Sequence, residues 1–547
     1  MSTENHDAEL IRKERNTARF FVNHPQISWV ILCSTLLWGV YGYLHMPKRK
    51  DPEFPELIAA AVCPWPGVPA EKIEQLVTRK LEQKISENKR VAKIQSTSRA
   101  GVAIVVVTLE DTLKRPEGEW DDINLKLNAI DDLPQGAGPI YFLKDFADTA
   151  ALTLVVASPQ ANNVEIGWRA ERVRQAITLA RAHLSPERAS TRAAVLLPFP
   201  LSVEAAVPRR NRDTAISYVL EKKAGRDLIP IEGPGFVGVD GDFGPDDQAI
   251  QALAAQFLRE RLRPSELHPD AWPIAVVRDP AKAAESLAAV AGSRYSYHEL
   301  DTFTDLIQRT LQTLPTVAKV SRAGVLKESI FLEYSQQRLA SFGMQPWSLQ
   351  QILAARNITY PGGVLEGDGK ALLIDPSGEF KSEKEIGDVI MTTSPAGAPV
   401  YLRDGVDIYK AYESPPLYLN YLTYRDPQGN WRRAPSITLA VNARSGLQIA
   451  DFGKAVDAAL SDLQKRLPED LVLSRMSDQP LQVEENIGLF MQSLYEAIGL
   501  VVLVALIGFW EWRSAMLMAL CIPTTLAMTF GMMSLLGLDI QQVSVAF

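Results

Sequence analysis

The sequence predicts an α+β membrane protein: three transmembrane helices plus a large extramembrane region built around two ferredoxin-like βαββαβ units. Three observations carry this reading. Three apolar runs are long enough to cross a bilayer. Strands and helices between the first and second runs follow the order βαββαβ twice. A Ser-Arg-Ala-Gly turn, Ser98 to Gly101 and Ser321 to Gly324, falls at the same place in both units, as internal repetition requires.

The first span is predicted over 27–46, twenty residues without Asp, Glu, Lys or Arg. It is too long for the apolar part of a cleaved signal peptide, and no A-x-A-like site follows it. The second covers 487–510 and the third 515–536. Residues 1–26 form a cytoplasmic N-terminal segment in this layout. Arg12, Lys13, Arg15 and Arg19 precede the first span, but Lys48, Arg49 and Lys50 follow it, so charge alone barely orients the helix. Long domains translocate largely regardless of charge, so the stretch between the first two spans can lie outside. Glu511 to Ser514 is then a tight cytoplasmic turn.

The first unit spans 51–148. Leu57 to Cys63 is a strand ended by the turn Pro64-Trp65-Pro66-Gly67. Ile73, Leu76, Val77, Leu81 and Ile85 have helical spacing. Strands follow at Val91 to Gln95 and Val102 to Leu109, then a helix with Trp120, Ile123, Leu127 and Ile130, then Ile140 to Leu143. The second unit takes 149–334 and 434–480. It opens with the strand Leu152 to Ala157 and the helix of Leu300, Phe303, Ile307, Leu311 and Leu314. It continues with Val317 to Gly324 and Ile330 to Tyr334. Ser436 to Val441, a helix over Ile449 to Leu463 and Leu471 to Leu473 close it. Two insertions interrupt it. Residues 160–293 read as a small α/β module of unassigned role, with helices around Ile177 to Leu184 and Ile250 to Leu262 and strands at Val195 to Leu197, Ile229 to Val239 and Ile274 to Val277. Residues 335–433 are rich in short strands and turns, with a Ser382/Glu385 capping box.

Composition removes several function classes. With 46% hydrophobic and 22% charged residues the chain is not of disordered type, and a net charge of −8 without a basic stripe argues against nucleic acid. Three cysteines and six histidines show no metal spacing. Gly363 to Lys370 fails as a phosphate loop, because its spacing is one residue too long and Ala371 replaces the hydroxyl residue. Asp240 to Asp247 lacks the EF-hand register and reads as a solvated acidic turn. No enzyme, cofactor or metal is expected. Glu496 is the one acidic or basic residue within a span and thus the only proton-relay candidate, although an interfacial place near the outer helix end, where a charge costs little, is the plainer reading. Arg99 and Arg322 read as structural. Phe142, Phe146, Phe331 and Phe342, with Tyr334 and Trp347 nearby in sequence, are candidates for lining an apolar substrate pocket; a core role is the plainer alternative.

Together the motifs resemble the resistance–nodulation–division (RND) permeases. The resemblance is carried in order by Met46-Pro47, Asp51-Pro52-Glu53-Phe54-Pro55, Pro64-Trp65-Pro66-Gly67 before Ala70-Glu71-Lys72-Ile73-Glu74, and Ser98-Arg99-Ala100-Gly101. Leu494-Tyr495-Glu496-Ala497-Ile498, Trp512-Arg513-Ser514-Ala515, Ile522-Pro523 and Leu536-Gly537-Leu538 complete it. It covers about 1–159 and 294–547. It implies two periplasmic porter subdomains, a docking subdomain at 335–433, and a homotrimer in the bacterial inner membrane. Function would be proton-driven export of amphiphilic small molecules (drugs, detergents), with a periplasmic adaptor protein, an outer-membrane channel and membrane lipids as partners. The chain ends at Phe547, where a fourth span would begin, so the aspartates the family carries there have no counterpart to assign. A membrane-tethered periplasmic binding or assembly module, or a lipid or sterol transporter of the same superfamily, are the competing readings.

Overall fold

In the computed structural model, the described residues are 20–21, 24–46, 48–49, 57–113, 116–144, 150–185, 188, 191–244, 246–262, 268–357, 364–367, 370–373, 378–393, 397–413, 419–426, 429–444, 447–509, 512–538 and 540–541. Helix α1 (Pro25–His45) starts at a proline, which suits the first helical turn. It is apolar all round, as a helix in lipid is. The short strand β1 (Lys48–Arg49) follows.

The first sheet unit contains β2 (Ile58–Pro64), α2 (70–86, with a π-helical turn at Glu74–Thr78), β3 (Val91–Arg99), β4 (Val102–Leu109), α3 (Glu117–Asn128) and β5 (Tyr141–Leu143). Its antiparallel sheet has the order β3-β4-β2-β5. Strand β4 alternates strictly, and its inward Ala103, Val105, Val107 and Leu109 are fully buried. They share one core with Ile73, Val77, Leu81 and Ile85 of α2 and Trp120, Ile123 and Leu127 of α3. Full burial of each larger side chain contributes about 1.5–3 kcal/mol.

The chain continues with β6 (Leu152–Ala157) and then leaves the second unit for α4 (Asn163–Arg181), β7 (Ala193–Pro198), α5 (Ala206–Glu221), β8 (Arg226–Gly233), β9 (Phe236–Asp242), α6 (Asp247–Glu260), β10 (Ala275–Val277) and α7 (Ala283–Ala289). These form their own antiparallel sheet, β10-β7-β9-β8. Helices α4 and α7 cover one face over a core that includes Val173, Ile177, Leu196, Phe236 and Leu287. Helices α5 and α6 cover the other, where Val195 and Leu197 of β7 and Val237 and Val239 of β9 point. The two ends of this module meet: Gln160 bridges Ser293, and Arg294 N donates to Pro159 O at 2.8 Å. Asp240 departs from the expected acidic turn. It lies on β9 with no exposure, held by Arg181 (2.7 Å) and Arg192 (2.6 Å). A buried carboxylate of this kind is retained only when paired.

The interrupted unit resumes with α8 (Tyr297–Gln312), β11 (Val317–Ala323) and β12 (Glu328–Tyr334). Within 335–433 lie α9 (Gln336–Ser341), α10 (Pro346–Arg356), the hairpin β13 (Val364–Gly367) with β14 (Lys370–Leu373), α11 (Glu383–Gly387), β15 (Ile390–Thr393), β16 (Pro399–Tyr401), α12 (Leu402–Gly405) and β17 (Val406–Tyr412). Strand β12 pairs with β17 and not with the sheet of the second unit, contrary to the sequence reading. Next come β18 (Asn420–Arg425), β19 (Trp431–Ala443), α13 (Ile449–Leu463) and β20 (Val472–Asp478). The sheet order is β11-β19-β6-β20, with β18 added on β19. In both sheets the spatial order of the four βαββαβ strands is second, third, first, fourth.

Strand β20 runs straight into α14 (Gln479–Phe509), which is followed by α15 (Trp512–Leu536) and β21 (Ile540–Gln541). Among the described residues, three helices are long and apolar enough to cross a membrane: α1, α14 and α15.

Candidate functional site at the junction of sheet and membrane helices

Helix α14 starts eight residues before the apolar run at Ile487, because its first turn is built by polar groups. Asp478 Oδ1 accepts from Leu481 N at 3.1 Å, and Pro480 sits in the first turn. An aspartate cap followed by proline is a helix-start signal that the sequence contained. Arg475 ties this cap down, donating to Asp478 Oδ2 at 2.8 Å and pairing with Asp457 of α13. Gly453 of α13 faces Pro480 so closely that a Cβ there would lie 2.6 Å from Pro480 Cβ. Val483 is buried in the core of the second unit, and Ile487 packs on that core.

The other helices dock to the same place. Gln448 Nε2, at the start of α13, donates to Leu44 O at the end of α1, 3.1 Å away. Parallel pairing of β1 with β21 joins the C-terminal ends of α1 and α15. Along the apolar helices, Gly39 and Gly42 of α1 lie against Ala527 and Phe530 of α15, with Cβ positions only 2.3 Å from Ala527 Cα and 2.7 Å from Phe530 O. Small residues permit this backbone approach.

Glu496 is exposed on α14, and its Oε1 accepts from Gln492 Nε2 at 3.0 Å. It lies thirteen residues before Phe509, about 20 Å along the helix axis. The aromatic candidates are distributed over separate cores. Phe142 packs on Trp120 in the first unit, with ring centroids 6.0 Å apart. Phe331 of β12 stacks on Tyr409 at 5.7 Å, and Phe342 packs in the cluster of Leu339, Leu349 and Leu402. Phe146 lies outside the described residues. Among those residues no ring contact joins the three. Arg322 donates to Asp301 O at 3.0 Å and to Thr304 Oγ1 at 3.2 Å, a structural anchor. The adjoining Gly324 and its counterpart Gly101 have φ of +82° and +88°, which explains glycine in both turns.

Sequence reading missed a buried polar junction of the insertion, α8 and β17. Asp270 Oδ1 accepts from Tyr297 N at 2.9 Å, and Tyr412 Oη accepts from His298 N at 2.8 Å. His298 in turn pairs with Glu328 at 3.0 Å, and Lys410 with the same carboxylate at 2.9 Å. Burial pushes the Asp270 carboxyl up to about 7 and the nearby His268 imidazole down to about 4. No local periodicity signals such a site, since its members lie far apart in sequence. The capping box of Ser296 and Glu299, which starts α8 beside it, was legible as Ser-x-x-Glu.

Three helices long and apolar enough to cross a bilayer, one of them continuous with a doubled βαββαβ scaffold, describe a membrane protein with a large extramembrane region. The model of the AcrB/AcrD/AcrF family matches residues 17–177 and 245–546, and the chain belongs to that family, the RND permeases. The match continues past the insertion boundaries expected from sequence and leaves out 178–244. The putative cation efflux system protein SilA of Salmonella typhimurium is 24% identical over 276 residues, 50% of this chain and 25% of the relative. The cobalt-zinc-cadmium resistance protein CzcA of Cupriavidus metallidurans is 24% identical over 250 residues, 46% and 22%. The multidrug resistance protein MdtC of Serratia proteamaculans is 24% identical over 362 residues, 63% and 34%. The chain thus spans about a quarter to a third of the length of these curated relatives.

Proposed function

We propose that the chain carries the first three spans and the N-terminal porter and docking subdomains of a proton-driven permease that exports amphiphilic small molecules from the bacterial inner membrane and periplasm. The observation that carries this is the pair of sheets with identical strand order, set between α1 and α14 and continuous with α14. In this reading residues 57–144 and the β6/β11/β19/β20 unit are the periplasmic porters, and 335–433 is the docking subdomain. A homotrimer with a periplasmic adaptor and an outer-membrane channel completes the assembly. Half-buried aromatics such as Phe142 and Phe331 supply contacts for amphiphiles, and Glu496 is the proton-carrying candidate among the three spans. The amphiphile reading is favoured by the longer match to a multidrug resistance protein.

Deleting the gene in its host tests this. Intracellular accumulation of a fluorescent amphiphilic dye rises on deletion, and a protonophore erases the difference. Equal accumulation with and without the gene overturns the proposal. Export of soft cations is the second reading, favoured by Met516, Met518, Met528, Met532 and Met533 on α15, because thioethers prefer soft metals, and by the cation-efflux relatives. Silver sensitivity that appears on deletion while dye accumulation stays unchanged selects it.

A further inference from the structure

The two faces of the insertion sheet are packed unequally. On the α4 and α7 face, fourteen buried side chains form one continuous core. On the α5 and α6 face the buried Tyr218, Val237, Val239, Ile250, Phe257 and Leu262 leave a cavity of about 100 Å³ among them. Protein interiors hold few voids larger than a water molecule. An apolar cavity of about 150 Å³ lined by aliphatic and aromatic side chains stays dry and takes up benzene, so this one is of the size for a single ring or a short alkyl chain.

Its walls are almost wholly apolar: Val195, Val237 and Val239 from the sheet, Ala215 from α5, and Ile250 and Leu253 from α6 are representative. The polar wall residues are Asn211, Arg212 and Tyr218. Two of them are engaged elsewhere. Arg212 Nη1 pairs with Glu232 at 3.0 Å, and Tyr218 Oη donates to Glu260 at 3.0 Å. Asn211 is different: it is 6% exposed, and its amide nitrogen is buried without a hydrogen-bond partner. An unsatisfied buried donor is costly and calls for a physical reason. Half-buried Ala215, Val219, Leu253 and Ala254 mark where the cavity approaches solvent between α5 and α6. Residues 178–244, which supply β7, α5, β8 and β9 and with them most of this wall, lie outside the family match.

We propose that this cavity is a binding site for a small neutral molecule, a single aromatic ring or short alkyl chain bearing one acceptor oxygen, with that oxygen accepting from the Asn211 amide. A charged ligand is disfavoured, since no unengaged counter-charge lines the walls and burying an unpaired charge is prohibitive. The site stands apart from the transport reading and from the membrane helices.

The test uses the full chain in lipid nanodiscs with p-fluorophenol and fluorobenzene as probes, followed by ¹⁹F NMR. Ala254→Phe fills the cavity and sets the level of uptake by lipid alone; Ala215→Leu serves the same purpose should the first variant fail to fold. Saturable binding of p-fluorophenol is expected in the parent chain and absent from the filled variant. Asn211→Leu is expected to weaken p-fluorophenol about fivefold, the worth of one hydrogen bond, while leaving fluorobenzene unchanged. Parent binding no greater than that of the filled variants overturns the site. Equal loss of both probes in Asn211→Leu overturns the role of the amide.

Discussion

Asp270 is a carboxylic acid held where water does not reach, 2% exposed and accepting one backbone hydrogen bond. Its folded pKa, about 7, stands above the ordinary 3.8. The folded state therefore binds more protons than the unfolded chain between these values, and stability is lost as pH rises from about 4 through 7. His268 has the opposite sign: depressed from 6.5 to about 4, it costs stability as pH falls through that window. Facing this pair are Tyr297, His298 and Glu299 of α8, Glu328 of β12, and Lys410 and Tyr412 of β17. Replacing Asp270 with Asn keeps an acceptor for Tyr297 N and removes the titration. We expect the variant to unfold at a higher temperature than the parent at pH 8, with the gap closing toward pH 4; a pH-independent gap in thermal unfolding contradicts this. At the other end of the region, Asp478→Ala removes the cap of α14. A loss of about 1 kcal/mol is expected by urea unfolding in detergent, and Asp478→Asn is expected to recover most of it.

The contact of α1 with α15 is set by glycine, and a side chain at Gly39 meets the backbone of Ala527. Gly39→Leu should lower stability by about 1–3 kcal/mol, the cost of overpacking. Gly499→Leu on α14, where nothing lies within 4 Å, should change it little; equal effects in a detergent unfolding assay would refute the packing account. Elements of this kind were legible where periodicity is strong. Strand β4 alternates and α8 repeats its apolar residues every three or four positions, so both read correctly within a few residues. The stretch 229–239 read as one strand and is two, because Gly235, with φ of +75°, turns the chain back. Ile330 to Tyr334 looked like a strand and is one, but strand identity does not state its partner; β12 pairs with β17, some eighty residues on. Asp240 and Asp270 were hidden for the same reason. Their partners are brought by tertiary structure, and sequence spacing carries no trace of it.

Across the whole molecule, the paired ends of the insertion make its excision geometrically simple, while its buried contact with α8 and β17 is what excision gives up. Gln160 and Ser293 are already cross-strand neighbours, so a short Gly/Ser linker closes the gap at little entropic cost. Removal of 161–292 should leave the chain accumulating in the membrane to within about twofold of the parent, since closure cost changes slowly with loop length. Loss of accumulation would place the module in the folding core. Orientation is checked by alkaline-phosphatase fusions: activity is expected at Ala150 and Gly446 and none at Arg513, and an inactive Ala150 fusion reverses the layout. Helix α14 adds a mechanical consequence. Its 31 residues form one rod of about 46 Å with its upper turns gripped by the second sheet. Swung by 10° about that grip, the far end at Phe509, about 33 Å beyond Ile487, sweeps about 6 Å, about one helical turn. A small rocking of the sheet is thereby geared up into a displacement large enough to unseat a neighbouring helix, and the same arm run backwards would let a shift in the bilayer prise at the sheet.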